Sequence, residues 1–112
     1  MGWKLVRDGN EAWCRANGVS GQWRVSPDPL RALARKLGEE ALEYAESLDP
    51  AELYDLFDVL AAAMTRADPD GRAAAAHWAK TQEFGTFGAC TEWTPVPPGS
   101  SDWAPDAAEG AT

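Results

Sequence analysis

The sequence predicts an all-α protein, an antiparallel helical bundle, from two observations. The dipeptide Asp-Pro occurs three times, and Asp at the N-cap followed by Pro at the first helical position is a favoured helix start. Apolar residues recur every three or four positions after the first two pairs, as one face of a helix requires. We therefore expect helices over about residues 29–47, 50–66 and 71–84.

Each predicted helix has its own apolar pattern. The first carries a single stripe, made of Leu30, Leu33, Leu37, Ala41, Tyr44 and Leu48. The second has an apolar face of Leu53, Leu56, Phe57, Leu60 and Met64. The rest of that helix is also poor in polar residues, so we expect it to be central and packed on more than one side. The third is rich in alanine, which permits close helix packing.

The two ends of the chain lack this periodicity. The first 25 residues combine a short extended-looking start, a weakly helical "EAWCRAN" and several glycines, which predicts a short irregular N-terminal segment. The end of the chain is rich in Pro, Gly, Ser, Ala and acid, which is typical of disorder. We expect one domain over residues 1–94 and a disordered tail over residues 95–112.

Composition excludes several classes of function. The formal net charge is −8 and no run of Lys or Arg forms a basic stripe, so binding to nucleic acid is disfavoured. No apolar run reaches the roughly 18 to 20 residues of a membrane span, and the N-terminus does not resemble a signal peptide. Cys14 and Cys90 lie far apart and outside any CxxC motif, which predicts reduced thiols. We expect a cytoplasmic protein that binds no membrane.

Seven carboxylates lie among the apolar residues of the first two predicted helices: Glu39, Glu40, Glu43, Glu46, Glu52, Asp55 and Asp58. Spacings of three and four place the first three on one side of their helix, and Glu52 and Asp55 share a side of the next. Antiparallel packing of the two helices would let these acidic edges face each other. Like charges this close need compensation, and the nearby cations are too few. Carboxylates without histidine or cysteine favour a hard cation, Mg²⁺ first and Mn²⁺ second.

Simpler interpretations stay open for several of these residues. Glu52 follows Asp49 by three positions and fits the last residue of a capping box. Glu46 and Asp58 are expected to be solvated or paired with arginine. His77 is expected to be a packed or surface residue, and the tryptophans are expected to fill a core or an oligomer interface rather than stack on a nucleobase.

Two sets of motifs resemble a known family. "EEALE" followed after eight residues by "ELYD" is similar to the EExxE…ExxD signature of the all-α nucleoside triphosphate pyrophosphohydrolases, the MazG-like superfamily. "KLVRD" at residues 4–8, with Gly18 ten residues beyond, resembles the start of the phosphoribosyl-ATP pyrophosphohydrolase-like branch. The resemblance extends over about residues 4–93. It implies the bundle of the all-α NTP pyrophosphatase type.

The chain departs from this branch at two places. Gly9, Asn10 and Glu11 replace the usual Lys-Ile-Pro after "KLVRD". Near the end, Phe84 stands where the branch tends to have arginine and Thr86 where it has glycine. The absence of that arginine predicts a different substrate or a loss of turnover.

The resemblance implies a hydrolase that cleaves a nucleoside triphosphate between its α and β phosphates. It further implies an Mg²⁺ ion, for which Mn²⁺ could substitute, bound by Glu40, Glu43, Glu52 and Asp55. Glu39 would act as an outer-shell carboxylate or general base. Lys80, Arg7 and Lys4 are the candidates to contact phosphate, and for Arg7 a structural ion pair with Asp8 or another acid is an equal alternative.

Two other classes of protein remain open. One is a regulatory member of the same family that binds nucleotide and metal without turnover, and the other is a purely structural helical protein. The resemblance and the apolar content both predict a homodimer or a higher homo-oligomer.

Overall fold

Four helices make up the regular structure of residues 2–99, which are the residues that the computed structural model describes. No strand is present within that range, so the prediction of an all-α protein is confirmed. The helices are α1 (Asn10–Ala16), α2 (Pro29–Ser47), α3 (Pro50–Ala67) and α4 (Arg72–Phe84). The weakly helical stretch near the N-terminus thus forms α1, and the rest of residues 2–28 has no regular structure.

The first two Asp-Pro pairs begin helices, as predicted. The Asp28 carboxylate accepts a hydrogen bond from the backbone N–H of Arg31 at 3.2 Å, and Pro29 is the first residue of α2. The Asp49 carboxylate accepts from the backbone N–H of Ala51 at 3.0 Å at the start of α3. Each cap satisfies one of the N–H groups that have no partner within the helix.

The third Asp-Pro pair follows the end of a helix instead of starting one. Asp68 is the C-cap of α3, and Pro69 cannot continue that helix because its nitrogen carries no hydrogen. The next helix begins three residues later, after Gly71, whose φ of 71° lies in the left-handed region that glycine adopts without strain.

A two-residue connection joins α2 to α3. Leu48 adopts a left-handed conformation with φ 54°, and its N–H donates a hydrogen bond to the Tyr44 carbonyl at 2.7 Å. Asp49 then caps α3. Since the two helices pack on each other and only these residues connect them, they run antiparallel. The end of α2 therefore lies beside the start of α3.

The chain divides after Asp70 into two compact units. Among the described residues, the buried apolar side chains are Cys14 and Leu33, both in the first unit. No residue of α3 is buried, although its pattern predicts a central helix. On its apolar face Leu56 is half-buried, whereas Leu53, Phe57, Leu60 and Met64 are exposed in the single chain, from 38% at Leu60 to 62% at Phe57.

The second unit contains α4, none of whose residues is buried. Cys90 in this unit and Cys14 in the first are free thiols. The tail predicted for residues 95–112 falls largely on residues 100–112, which lie outside the described residues. Within residues 2–99, no helix combines the length and the apolar character needed to cross a membrane.

Candidate metal centre

Three carboxylates meet where the second half of α2 lies beside the first turns of α3. Glu40, Glu52 and Asp55 each offer one oxygen, and these three oxygens lie within 4.8 Å of one another. Glu40 is buried, with 7% of its surface exposed, whereas Glu52 and Asp55 are half-buried. The antiparallel pairing of α2 and α3 produces this meeting.

Glu40 has one oxygen with a partner and one without. Its Oε1 forms an ion pair with Lys36 Nζ at 3.1 Å, one helical turn away. Its Oε2 is buried and has no hydrogen-bond partner among residues 2–99. A buried carboxylate oxygen without a partner is costly, because it has lost its water and gained nothing in return. Glu40 is therefore a group for which a bound cation would supply the missing interaction.

The surroundings of Glu52 disfavour its charged form. Partial burial raises the pKa of the Glu52 carboxyl group, and the charges of Glu43 and then Glu40 raise it further. A hydrogen bond with Glu43 and the charge of Asp55 act in the same direction. A cation at this place would reverse the effect, since opposite charge favours the ionised form.

Glu52 does not take the capping-box role that its spacing permits. The backbone N–H of Asp49, which a capping box would direct to the third-position carboxylate, donates to Ser47 Oγ at 3.1 Å. The carboxyl group of Glu52 lies with Glu43, Glu40 and Asp55 instead. Glu43 is exposed and lies next to Glu52, outside the group of three convergent oxygens.

Arg7 makes two ion pairs with α3. Its Nη2 donates to Asp55 Oδ1 at 2.7 Å, and its Nη1 donates to Asp58 Oδ2 at 2.9 Å. Hydrogen bonds to Asp58 and Asp55 raise the pKa of the guanidinium. Arg7 thus forms the structural ion pair that was one of its two predicted roles, and Asp58 is paired with arginine as expected. Asp55 keeps a second oxygen for another partner.

The remaining predicted residues lie outside the three-oxygen cluster. Glu39 is exposed on α2, with a carboxylate oxygen 3.9 Å from Lys36 Nζ. Lys4 is exposed in the N-terminal segment. Lys80 and His77 are both exposed on α4, in the second unit.

A cleft between the N-terminal segment and α2 brings Lys4 and Glu39 together with Trp3, Arg35 and Lys36. Arg35 was not among the residues predicted to act. Its signal in the sequence is the adjacent pair of cations Arg35-Lys36, placed just before the first acidic motif of a strongly acidic chain.

The cluster fits a hard divalent cation. An ion with ligands at 2.0 to 2.1 Å, as for Mg²⁺, separates its oxygens by up to about 4.2 Å, and Ca²⁺ allows about 5 Å. The limit of 4.8 Å among the three oxygens is close to these spans. The all-oxygen donor set suits such ions.

Comparison of the chain with protein-family models, with curated proteins and with solved structures found no match. By its fold and its site, the chain is a helical protein with a carboxylate cluster on the packed helices α2 and α3.

Proposed function

We propose that this protein is an Mg²⁺-dependent nucleoside triphosphate pyrophosphohydrolase with an all-α fold of the NTP pyrophosphatase type. One observation carries the proposal: the buried, unpartnered carboxylate oxygen of Glu40 belongs to a residue that converges with Glu52 and Asp55. All three occupy acidic positions of the motifs "EEALE" and "ELYD". The carboxylates of an acidic surface face would keep their oxygens in water, whereas Glu40 Oε2 is buried.

Glu40, Glu52 and Asp55 are the proposed metal ligands, with Mn²⁺ as a substitute ion. Glu43 joins them in this proposal because its charge already acts on Glu52. A bound divalent cation would neutralise triphosphate charge and lower the pKa of a coordinated water. Arg7 holds Asp55 in place through its hydrogen bond to Oδ1, so it acts first as a positioning residue.

Glu39 is the proposed general base. It lines the cleft beside the cluster and is exposed, so its carboxylate can reach a water molecule there. The water oxygen attacks the α phosphorus while its proton passes to Glu39, and the bond from that phosphorus to the bridging oxygen breaks. Nucleoside monophosphate and pyrophosphate are the products. Lys4 and Lys80 remain the candidate phosphate contacts.

We also propose that the protein functions as a homo-oligomer in the cytoplasm. A chain of 112 residues whose described part buries only two apolar side chains has little core to stabilise it alone. The exposed face of α3 carries Leu53, Phe57, Leu60 and Met64 at helical spacing. A second copy that covered this face would supply the missing apolar burial.

The test is a hydrolysis assay on the full chain. The purified protein is incubated with a panel of ribo- and deoxynucleoside triphosphates, with Mg²⁺ or with EDTA, and pyrophosphate and monophosphate are measured. We expect Mg²⁺-dependent release of both products from at least one nucleotide. Glu40→Gln should abolish it.

Glu46→Gln is the matched control, because it removes one carboxylate from an exposed position of the same helix outside the cluster. It should leave turnover unchanged. Turnover by Glu40→Gln equal to that of the wild type would contradict the proposal, as would no turnover of any nucleotide. Tight Mg²⁺-dependent nucleotide binding without product would favour the regulatory alternative.

A further inference from the structure

The cleft between the N-terminal segment and α2 is large enough for a ligand. Its volume is about 360 Å³, within the roughly 300 to 1,000 Å³ of small-molecule sites. Leu5 and Ala32 are the apolar side chains of its wall, and the others are Trp3 and four charged residues.

Positive charge dominates this cleft. Lys4, Arg35 and Lys36 line it against a single carboxylate, that of Glu39. Neither Lys4 nor Arg35 makes an ion pair with any residue of the described range 2–99, so their charges are available. The chain as a whole has a net charge of −8, and an anion is the ligand that this group of cations favours.

Trp3 makes a cation–π contact at the edge of the cleft. The Arg24 guanidinium lies 4.1 Å from the centre of the indole ring, a cation–π contact. Arg24 therefore adds a further positive charge next to the cleft.

Lys36 connects the cleft to the carboxylate cluster. Its side chain is only 19% exposed, it lines the cleft, and its Nζ is 3.1 Å from Glu40 Oε1. An anion in the cleft therefore lies next to the proposed metal site, where three cations and the single carboxylate of Glu39 face it. A ligand that bridged the two places would need a chain of phosphates, one end near a divalent cation and the other among Lys4 and Arg35.

We propose that this cleft binds the β and γ phosphates of the nucleotide, and hence the pyrophosphate product, through Lys4 and Arg35. This inference rests on the proposed function for the identity of the ligand. The cations themselves require only a polyphosphate, so the cleft should bind inorganic pyrophosphate without a metal. Arg35 then becomes a substrate-binding residue, and Lys36 keeps Glu40 in position.

The test is calorimetric titration of inorganic pyrophosphate into the full chain in EDTA at low salt. We expect binding that weakens as NaCl is raised. Lys4→Gln/Arg35→Gln should weaken it roughly tenfold or more, since each variant removes a charged hydrogen-bond donor. Both residues are exposed and make no ion pair within residues 2–99, so the variant should fold. Lys4→Arg/Arg35→Lys should retain binding within a few-fold.

Arg15→Gln/Arg31→Gln is the matched control, because it removes the same charge from exposed residues of the same unit outside the cleft. It should bind pyrophosphate like the wild type. Equal weakening in the control and the cleft variant would reduce the effect to net charge and overturn the proposal. Binding of adenosine with no binding of pyrophosphate would also overturn it, in favour of a site where a nucleobase stacks on the Trp3 ring.

Turnover separates this inference from the proposed function. If the wild type hydrolyses a nucleotide and Lys4→Gln/Arg35→Gln leaves its KM unchanged, the cleft proposal is wrong and the proposed function stands. If pyrophosphate binds as expected but no nucleotide is hydrolysed, the phosphate site stands and the proposed function is wrong.

Discussion

Arg7 donates a hydrogen bond from Nη2 to Asp55 Oδ1 at 2.7 Å, across 48 residues of sequence. The same guanidinium bonds Asp58 one turn further along α3. The irregular N-terminal segment is thereby tied to the helix that carries two of the three convergent carboxylates. These pairs are solvent-exposed, so salt should weaken them.

Replacing Arg7 tests this connection. We expect Arg7→Gln to lower the thermal midpoint by a few degrees at low salt, and the difference from the wild type to shrink in 1 M NaCl as the ion pairs are screened. Circular dichroism at both salt concentrations measures it. Arg31→Gln is the control, since the ion pair of Arg31 within residues 2–99 is with Asp28 at the start of its own helix. A midpoint for Arg7→Gln equal to that of the wild type at low salt would show that the pairs do not hold the segment.

The raised pKa of Glu52 predicts an unusual pH dependence. Because the folded-state pKa lies above the ordinary value of 4.5, the folded protein takes up this proton first as the pH falls. The charged carboxylate therefore destabilises the metal-free fold at neutral pH, and this effect is relieved as the pH falls through the folded-state pKa. In EDTA we expect Glu52→Gln to be more stable than the wild type at pH 7, with the difference gone below pH 4.5.

Addition of Mg²⁺ should make the wild type more stable than Glu52→Gln. The wild type should gain stability with rising Mg²⁺ by mass action, whereas Glu52→Gln should gain little. Urea unfolding in EDTA and in Mg²⁺ measures both effects, and Glu46→Gln should follow the wild type in each. If Mg²⁺ stabilised Glu52→Gln as much as the wild type, Glu52 could not be a metal ligand.

The exposed face of α3 predicts self-association. We expect the wild type to sediment as a dimer or larger species, and Phe57→Glu to shift it to the monomer, because a charge in an apolar interface is strongly unfavourable. Analytical ultracentrifugation over a range of concentrations measures this. Val25→Glu makes the same kind of change at a side chain that is 85% exposed outside the helices, and it should not alter the mass. A monomeric wild type would contradict the proposed oligomer.

The helix starts were predictable because they depend on neighbours in sequence. Asp28 and Asp49 each cap a helix whose first residue is the next proline, and the expected starts of both helices at residues 29 and 50 are confirmed. The same pair at Asp68 does not itself begin a helix, although the helix expected from about residue 71 is present as α4. There the proline follows a helix end, and α4 begins only after the left-handed Gly71.

Long-range pairings were not predictable from such patterns. The sequence indicates that Arg7 has an acidic partner but cannot choose Asp55 and Asp58 over Asp8, which is adjacent in sequence. The apolar pattern of α3 predicts a central helix, yet the single chain leaves most of its apolar face exposed. Apolar periodicity indicates that a helix face will be buried. It does not indicate whether the same chain or a second copy buries that face.

The connection at Leu48 and Asp49 also bears on the order of folding. Only two residues separate α2 from α3, so closing this hairpin costs little chain entropy and its contacts are local in sequence, a property of fast-folding helical proteins. The bond from Arg7 to Asp55 closes a loop of nearly fifty residues and should form later. We therefore expect the three carboxylates to meet in a helical hairpin before the N-terminal segment docks, so that a cation could act on the chain during folding as well as after it.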